Sequence, residues 1–184
     1  MQLKNSENHY GLIARLFHWG LALLIIAMFI LGWWMVELGY YDPWRKQGPE
    51  IHKSIGILLV VLMLLRLVWR WLNPVPKDAP GLSRLESITA HGVHTLLYVL
   101  IFLIMSSGYL ISTADGRAIA VFDWFSVPAL ISDLPAQEDI AGLIHRWLAY
   151  LMMGLVLLHA AAALKHHFIN KDNTLRKMLR AKKT

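Results

Sequence analysis

Long stretches without a formal charge set the pattern of the chain. Leu16 to Val36, His91 to Ser112 and Trp147 to Leu164 contain no Asp, Glu, Lys or Arg. Such runs match the ~30 Å hydrocarbon layer of a bilayer at the helical rise of ~1.5 Å per residue. Ser54 to Leu65 is a shorter run. Leu67, Val68, Trp69, Trp71 and Leu72 extend its apolar pattern around Arg66 and Arg70, whose long side chains can snorkel to a helix end. The pattern predicts an all-α fold, an integral membrane four-helix bundle. It forms a single transmembrane domain over residues 1–184, with spans near 16–36, 52–72, 91–112 and 142–164. The first span is longer than a signal-peptide core and ends on Trp33-Trp34 instead of small cleavage-site residues, so it is expected to stay attached.

Composition sharpens this. Hydrophobic residues make up 57% and charged residues 16% of the 184, against about 25% charged in a soluble domain. That excludes a soluble enzyme and a disordered module. Cysteine is absent, which excludes disulfides, thiolate iron–sulfur clusters and covalent c-type haem attachment. Any redox centre must be held by other groups, and nine histidines are available. Of the 18 Lys and Arg, five (Arg45, Lys46, Lys53, Arg117 and Arg146) lie in the connections on one side of the membrane, and all the rest lie in residues 1–15, 66–90 and 165–184. Basic loops stay in the cytoplasm, so both termini are expected there. Asn73-Pro74-Val75-Pro76 and Pro80-Gly81 read as a short stiff inner loop. Residues 113–140 read as a long acidic outer loop with an interfacial segment near Val121 to Phe125.

An ionisable residue inside a bilayer is costly, so histidines within spans are functional candidates. His18 lies just inside the inner end of the first span, while His52 and His145 open the second and fourth at the outer side. His159 follows His145 by 14 residues, ~21 Å deeper and within ~40° of the same helix face. Pairing by depth joins His52 with His145 at an outer site and His18 with His159 at an inner one. Two pairs drawn from different helices suit two b-type haems, each ligated from both faces. Ordinary interhelical hydrogen bonding explains any single histidine equally well. A structural zinc prefers four ligands together, usually with thiolates, and fits a two-and-two split poorly. Gly20, Gly32, Gly56, Gly92, Gly108 and Gly154 would let a macrocycle approach a backbone, although small residues also serve plain helix packing. His91 and His94 open the third span and compete for the inner site. A faint repeat adds to that competition: Ile51-His52-Lys53 is similar to Ile144-His145-Arg146, and Ala14 to His18 is similar to Ala90 to His94. Depth alone does not choose between His18 and His94.

These residues resemble the prokaryotic cytochrome b561 family along essentially the whole chain. The matching stretches are His18-Trp19, Ile51-His52 with Gly56, Ala90-His91 with His94, His145, and Leu158-His159-Ala160-Ala161-Ala162-Ala163-Leu164. His166-His167 and Lys171-Asp172-Asn173-Thr174-Leu175 follow. The resemblance implies haem axial ligands at His18 and His159 for an inner iron and at His52 and His145 for an outer one, with two haem b as cofactors. The last run resembles the branch of the family that passes electrons from superoxide at the periplasmic face to ubiquinone. That implies an oxidoreductase with ubiquinone as acceptor, superoxide or another periplasmic donor, and the lipid bilayer as surroundings.

Haem propionates need positive partners. Lys53 and Arg146 directly follow the outer ligands, and Arg66 reaches the inner depth, although snorkelling alone would also place Arg66 there. A quinone needs an apolar slot and polar groups that exchange protons; His166, seven residues past His159, is the first candidate and His91 the second. The basic tail is explained by topology and anionic lipid. Trp33, Trp34, Trp44, Trp69 and Trp71 read as an interfacial belt. Two other functions share the same histidines: a quinol-linked or hydrogenase-type electron-carrying cytochrome b subunit, and a non-haem metal transporter.

Overall fold

Four long helices run through the computed structural model, which describes residues 2–78 and 81–179. They are α1 (Leu12–Val36), α2 (Trp44–Leu72), α3 (Arg84–Ser112) and α4 (Gln137–Phe168). Each is long and apolar enough to span a membrane, and only 6–17% of the residues in each apolar window are buried inside the protein. Many of the other apolar side chains, Leu23, Ile30, Leu64 and Leu157 among them, are exposed, as a lipid environment allows. The protein is therefore a mainly helical, multi-pass membrane protein. Pro80 of the inner loop and Arg180, Lys182 and Lys183 of the basic tail lie outside the described residues.

Three helices begin well before the charge-free runs they contain, for local reasons. At α2, Asp42 Oδ1 accepts the Trp44 N–H at 2.8 Å, and the helix carries Arg45, Lys46 and Glu50 before the apolar stretch begins. At α3, Ser83 and Glu86 form a reciprocal capping box. The Ser83 hydroxyl accepts the Glu86 N–H at 3.2 Å, and the Glu86 carboxylate accepts the Ser83 N–H at 3.1 Å. Gln137 starts α4 by donating through its side-chain amide to the Leu110 carbonyl at 2.9 Å. Uncharged length measures the bilayer crossing, whereas the helices themselves begin further out, at hydrogen bonds made in the flanking loops.

α1 packs on α2 and α3 on α4, so the bundle is two helical hairpins side by side. Leu21, Leu59, Met63, Leu100, Ile101 and Met152 bring all four helices into one buried cluster at mid-depth. That cluster lies between the outer and inner histidine layers.

The outer loop differs from the expected interfacial segment. β1 (Ile119–Val121) and β2 (Phe125–Val127) form an antiparallel hairpin. Its turn holds Phe122 and Asp123 at φ 45° and 58° and brings the Trp124 N–H to the Val121 carbonyl at 2.9 Å. The hairpin docks on α2 through buried Ser54, whose hydroxyl donates to the Ala120 carbonyl at 3.3 Å and accepts the Phe122 N–H at 3.2 Å. Val121 is fully buried by this contact.

At the opposite end a short α5 (Thr174–Leu179) turns back under the bundle. The Trp19 indole donates to the Met178 carbonyl at 3.1 Å, and Lys177 Nζ donates to the Lys77 carbonyl at 2.7 Å. Asp172 fixes the approach: Oδ1 accepts the Thr174 N–H at 2.8 Å, and Oδ2 lies 2.6 Å from His166 Nδ1. Burial opposes ionisation of Asp172, but the Thr174 backbone and hydroxyl, together with His166, hold its carboxyl below the usual carboxylate range. The stabilisation from this lowered value is present above the unfolded value of ~3.9 and is lost as pH falls through the lower folded value. Asp172→Ala is expected to loosen α5 by on the order of 2 kcal/mol. Faster amide exchange over residues 174–179, with the four spans unchanged, is the result to look for. The wild type should show the same loosening only in strong acid, and unaltered exchange in the variant would remove Asp172 as the tie.

Candidate functional site

The outer layer is built on α2 and α4. The His52 and His145 ring centres are 6.2 Å apart with planes at 73°. Each imidazole lies against a glycine of its hairpin partner. A Cβ at Gly32 of α1 would sit 3.2 Å from His52 Cε1, and one at Gly108 of α3 would sit 3.1 Å from His145 Cε1. Glycine is what admits both rings at this depth. His145 Nδ1 lies 2.9 Å from the Ile104 carbonyl, which can only accept, so Nδ1 carries the proton and Nε2 keeps a free lone pair. The Ser107 hydroxyl is 3.3 Å from the same nitrogen. His52 Nδ1 is buried with no partner among the described residues.

A cavity of about 1220 Å³ surrounds this pair. It is walled by apolar side chains such as Ile25, Phe29, Ile57, Val60, Ile101 and Met105, and Ile119 and Val127 of the hairpin close its outer side. Lys53 and Arg146 line the same cavity. Neither has an ion-pair partner among the described residues.

The inner layer gathers one side chain from each helix. The His18 and His159 ring centres are 6.3 Å apart at 64°, those of His94 and His159 are 5.2 Å apart at 67°, and Arg66 Nη2 lies 3.4 Å from His18 Nδ1. Trp19 meets His18 edge-on with ring centres 5.2 Å apart. Arg66 also lies over the Tyr98 ring, with Cζ 5.4 Å from its centre.

Metal–imidazole bonds of about 2.0–2.1 Å put the ring centres of two opposed ligands roughly 6 Å apart. The His52–His145 and His18–His159 separations fit that requirement, and the His94–His159 separation is shorter. The free Nε2 of His145, the two glycine seats and the apolar walls likewise fit a flat, bis-imidazole-ligated macrocycle. Among the described residues, no three His, Cys, Asp or Glu converge on a common point suited to a metal ion. The outer histidines form a pair, and at the inner layer His18 and His94 both approach His159.

Other predicted residues fall at the inner end. His166 Nδ1 faces Asp172, and both side chains are largely buried. His91 is exposed, with Nδ1 donating to the Ser87 carbonyl at 2.8 Å. Trp33, Trp34, Trp44 and Trp71 are exposed as belt residues should be, but the Trp69 indole N–H is buried without a partner among the described residues. Arg117, counted among the outer cations, is tied to Asp115. Sequence reasoning missed the contacts of Gly32 and Gly108 with imidazoles, the hairpin wall, and buried Arg15. The apolar Ile119-Ala120-Val121 run was the available signal for the wall.

A helical membrane bundle with half-buried imidazoles close together in two layers has the build of a membrane electron carrier. The profile described as prokaryotic cytochrome b561 matches residues 9–181, and the chain belongs to that family. Over 179 residues it is 49% identical to cytochrome b561 homolog 2 of Escherichia coli (strain K12), covering 97% of this chain and 95% of that protein. It is 31% identical over 171 residues to the Yersinia pestis protein named "Probable superoxide oxidase CybB", covering 90% and 93%. It is 28% identical to cytochrome b562 of Cereibacter sphaeroides, covering 95% and 98%. The family binds haem b, and the protein is a multi-pass membrane electron-transfer protein of the oxidoreductase class.

Proposed function

We propose that the protein is a di-haem cytochrome of the bacterial inner membrane that passes electrons from superoxide at the outer face to ubiquinone at the inner face. The observation that carries this reading is the pair of half-buried imidazole couples, at 6.2 Å and 6.3 Å, at opposite ends of the bundle. His52 and His145 would hold the outer haem, and His18 and His159 the inner one. When bound, the haems supply one-electron transfer across the bilayer. The remaining work is done by side chains. The Ile104 carbonyl fixes the tautomer and orientation of His145. Lys53 and Arg146 offer positive charge to the outer propionates, and Arg66 offers it to the inner ones.

Superoxide is a small anion, so cations at the outer mouth favour its arrival. Arg45, Lys46, Lys53 and Arg146 are expected to do this, whereas Asp115 offsets Arg117. At the inner end, His166 would hydrogen-bond a quinone head and deliver a proton while Asp172 holds its ring; His91 is the second candidate. Support for superoxide as donor comes from the name of the 31% identical relative. The 49% identical relative carries no donor in its name, so a quinol-linked or hydrogenase-type electron-carrying subunit is the second reading. Pulse-generated superoxide should reduce the purified protein, and added ubiquinone should then reoxidise it. Haems that stay oxidised after the pulse would exclude the superoxide reading, and stable co-purification with a soluble redox partner would favour the second.

A further inference from the structure

Arg15 is a charged side chain without an anion. It lies on α1 three residues before His18 and is only 8% exposed. Its Nη1 donates to the Leu179 carbonyl at 3.4 Å, while Nε and Nη2 are buried with no partner among the described residues. No carboxylate there forms an ion pair with it. Lys177 is buried to the same degree, but its ammonium donates to the Lys77 carbonyl, so it is provided for. A guanidinium cannot shed its charge at accessible pH, and an isolated buried charge is costly. Two adjacent unused donors, Nε and Nη2, form the fork that matches a carboxylate or phosphate in bidentate fashion.

Position favours one source of that anion. Helical side chains tilt toward the N-terminus, so Arg15 reaches from about one turn beyond His18 toward the inner end of the bundle. α5 covers it through the Leu179 contact, which screens it from the surface where lipid headgroups lie. A haem carries two propionates, so Arg66, which lies with Arg70 over the Tyr98 ring, leaves one of them for Arg15. We propose that Arg15 binds a propionate carboxylate of the inner haem, so that α5, by covering Arg15, closes the propionate end of that site. This rests on the di-haem reading.

The test uses the purified, haem-loaded chain and compares wild type, Arg15→Gln and Arg15→Lys, with exposed Arg84→Gln as a control. Removing a cation from the haem edge favours the oxidised form. In Arg15→Gln the oxidised-to-reduced ratio of the inner haem at a fixed potential should rise about tenfold, equivalent to 59 mV for one electron. The outer haem should not move. The propionate bending mode of the inner haem in the resonance Raman spectrum should shift in both Arg15 variants, because lysine restores the charge but not the fork. Arg15→Lys therefore carries the test if Arg15→Gln does not fold. Two bound haems with unchanged inner potential and propionate mode would overturn the assignment. So would loss of about one lipid phosphate per chain with that mode unmoved, which would identify a phospholipid as the anion. Fewer than two haems in the wild type would instead sink the di-haem reading itself, and the assignment with it.

Discussion

His52→Ala and His145→Ala should each reduce haem content to about half that of the wild type while leaving the spectrum of the other haem intact. The two layers share no ligand, and the buried cluster of Leu21, Leu59, Met63, Leu100, Ile101 and Met152 separates them. Loss of the outer site therefore has no direct contact through which to empty the inner one. Each substitution removes an imidazole that lies against a glycine, and alanine leaves the lone pair of the opposing ring without its counterpart. A five-coordinate remnant is the milder form of the same result and would be seen as a high-spin component. Haem extraction and low-temperature difference spectra measure both. If His52→Ala emptied the layer that contains His159, the depth pairing would be wrong.

His18→Gln should lose the inner haem or turn it high-spin, whereas His94→Gln should retain two haems with an altered inner potential. Both histidines contact His159, so proximity alone does not separate them. Separation does: the 6.3 Å between His18 and His159 leaves room for a metal between opposed rings, and the 5.2 Å between His94 and His159 leaves less. A neighbouring ring that does not ligate still tunes a metal centre through its hydrogen bonds, commonly by 10–100-fold in affinity or activity. Redox titration of each variant against the wild type gives the answer. The opposite result, with His94→Gln losing the haem and His18→Gln keeping it, would move the ligand to α3.

The spans and the pairing by depth were legible because bilayer thickness and helical rise are fixed quantities, and both act through sequence distance. His145 and His159 show this: fourteen residues put them at opposite layers on one face. What was not legible depended on contacts remote in sequence. Ser54 meets Ala120 and Phe122 across more than sixty residues, and nothing near Phe122 and Asp123 marks a turn made by two non-glycine residues at positive φ. Arg15 looked like one more inner cation because its burial depends on α5, 164 residues away from it at Leu179. Trp69 looked like a belt residue because composition does not tell a lipid-facing indole from an inward one.

The glycine seats place all four helices in one register. His18 and Gly32, His52 and Arg66, His94 and Gly108, and His145 and His159 are each fourteen residues apart. Fourteen residues are close to four turns, about 21 Å. Inserting one residue between the layers would lengthen a helix by only ~1.5 Å but swing the far member by ~100°, carrying it off the bundle interior. The spacing of the layers is thus quantised: a helix can lengthen or shorten it only by about whole helical turns, and a change in one helix is useless unless the other three follow. Gradual drift in the distance between the two layers is closed to such a chain, and the distance is inherited in steps.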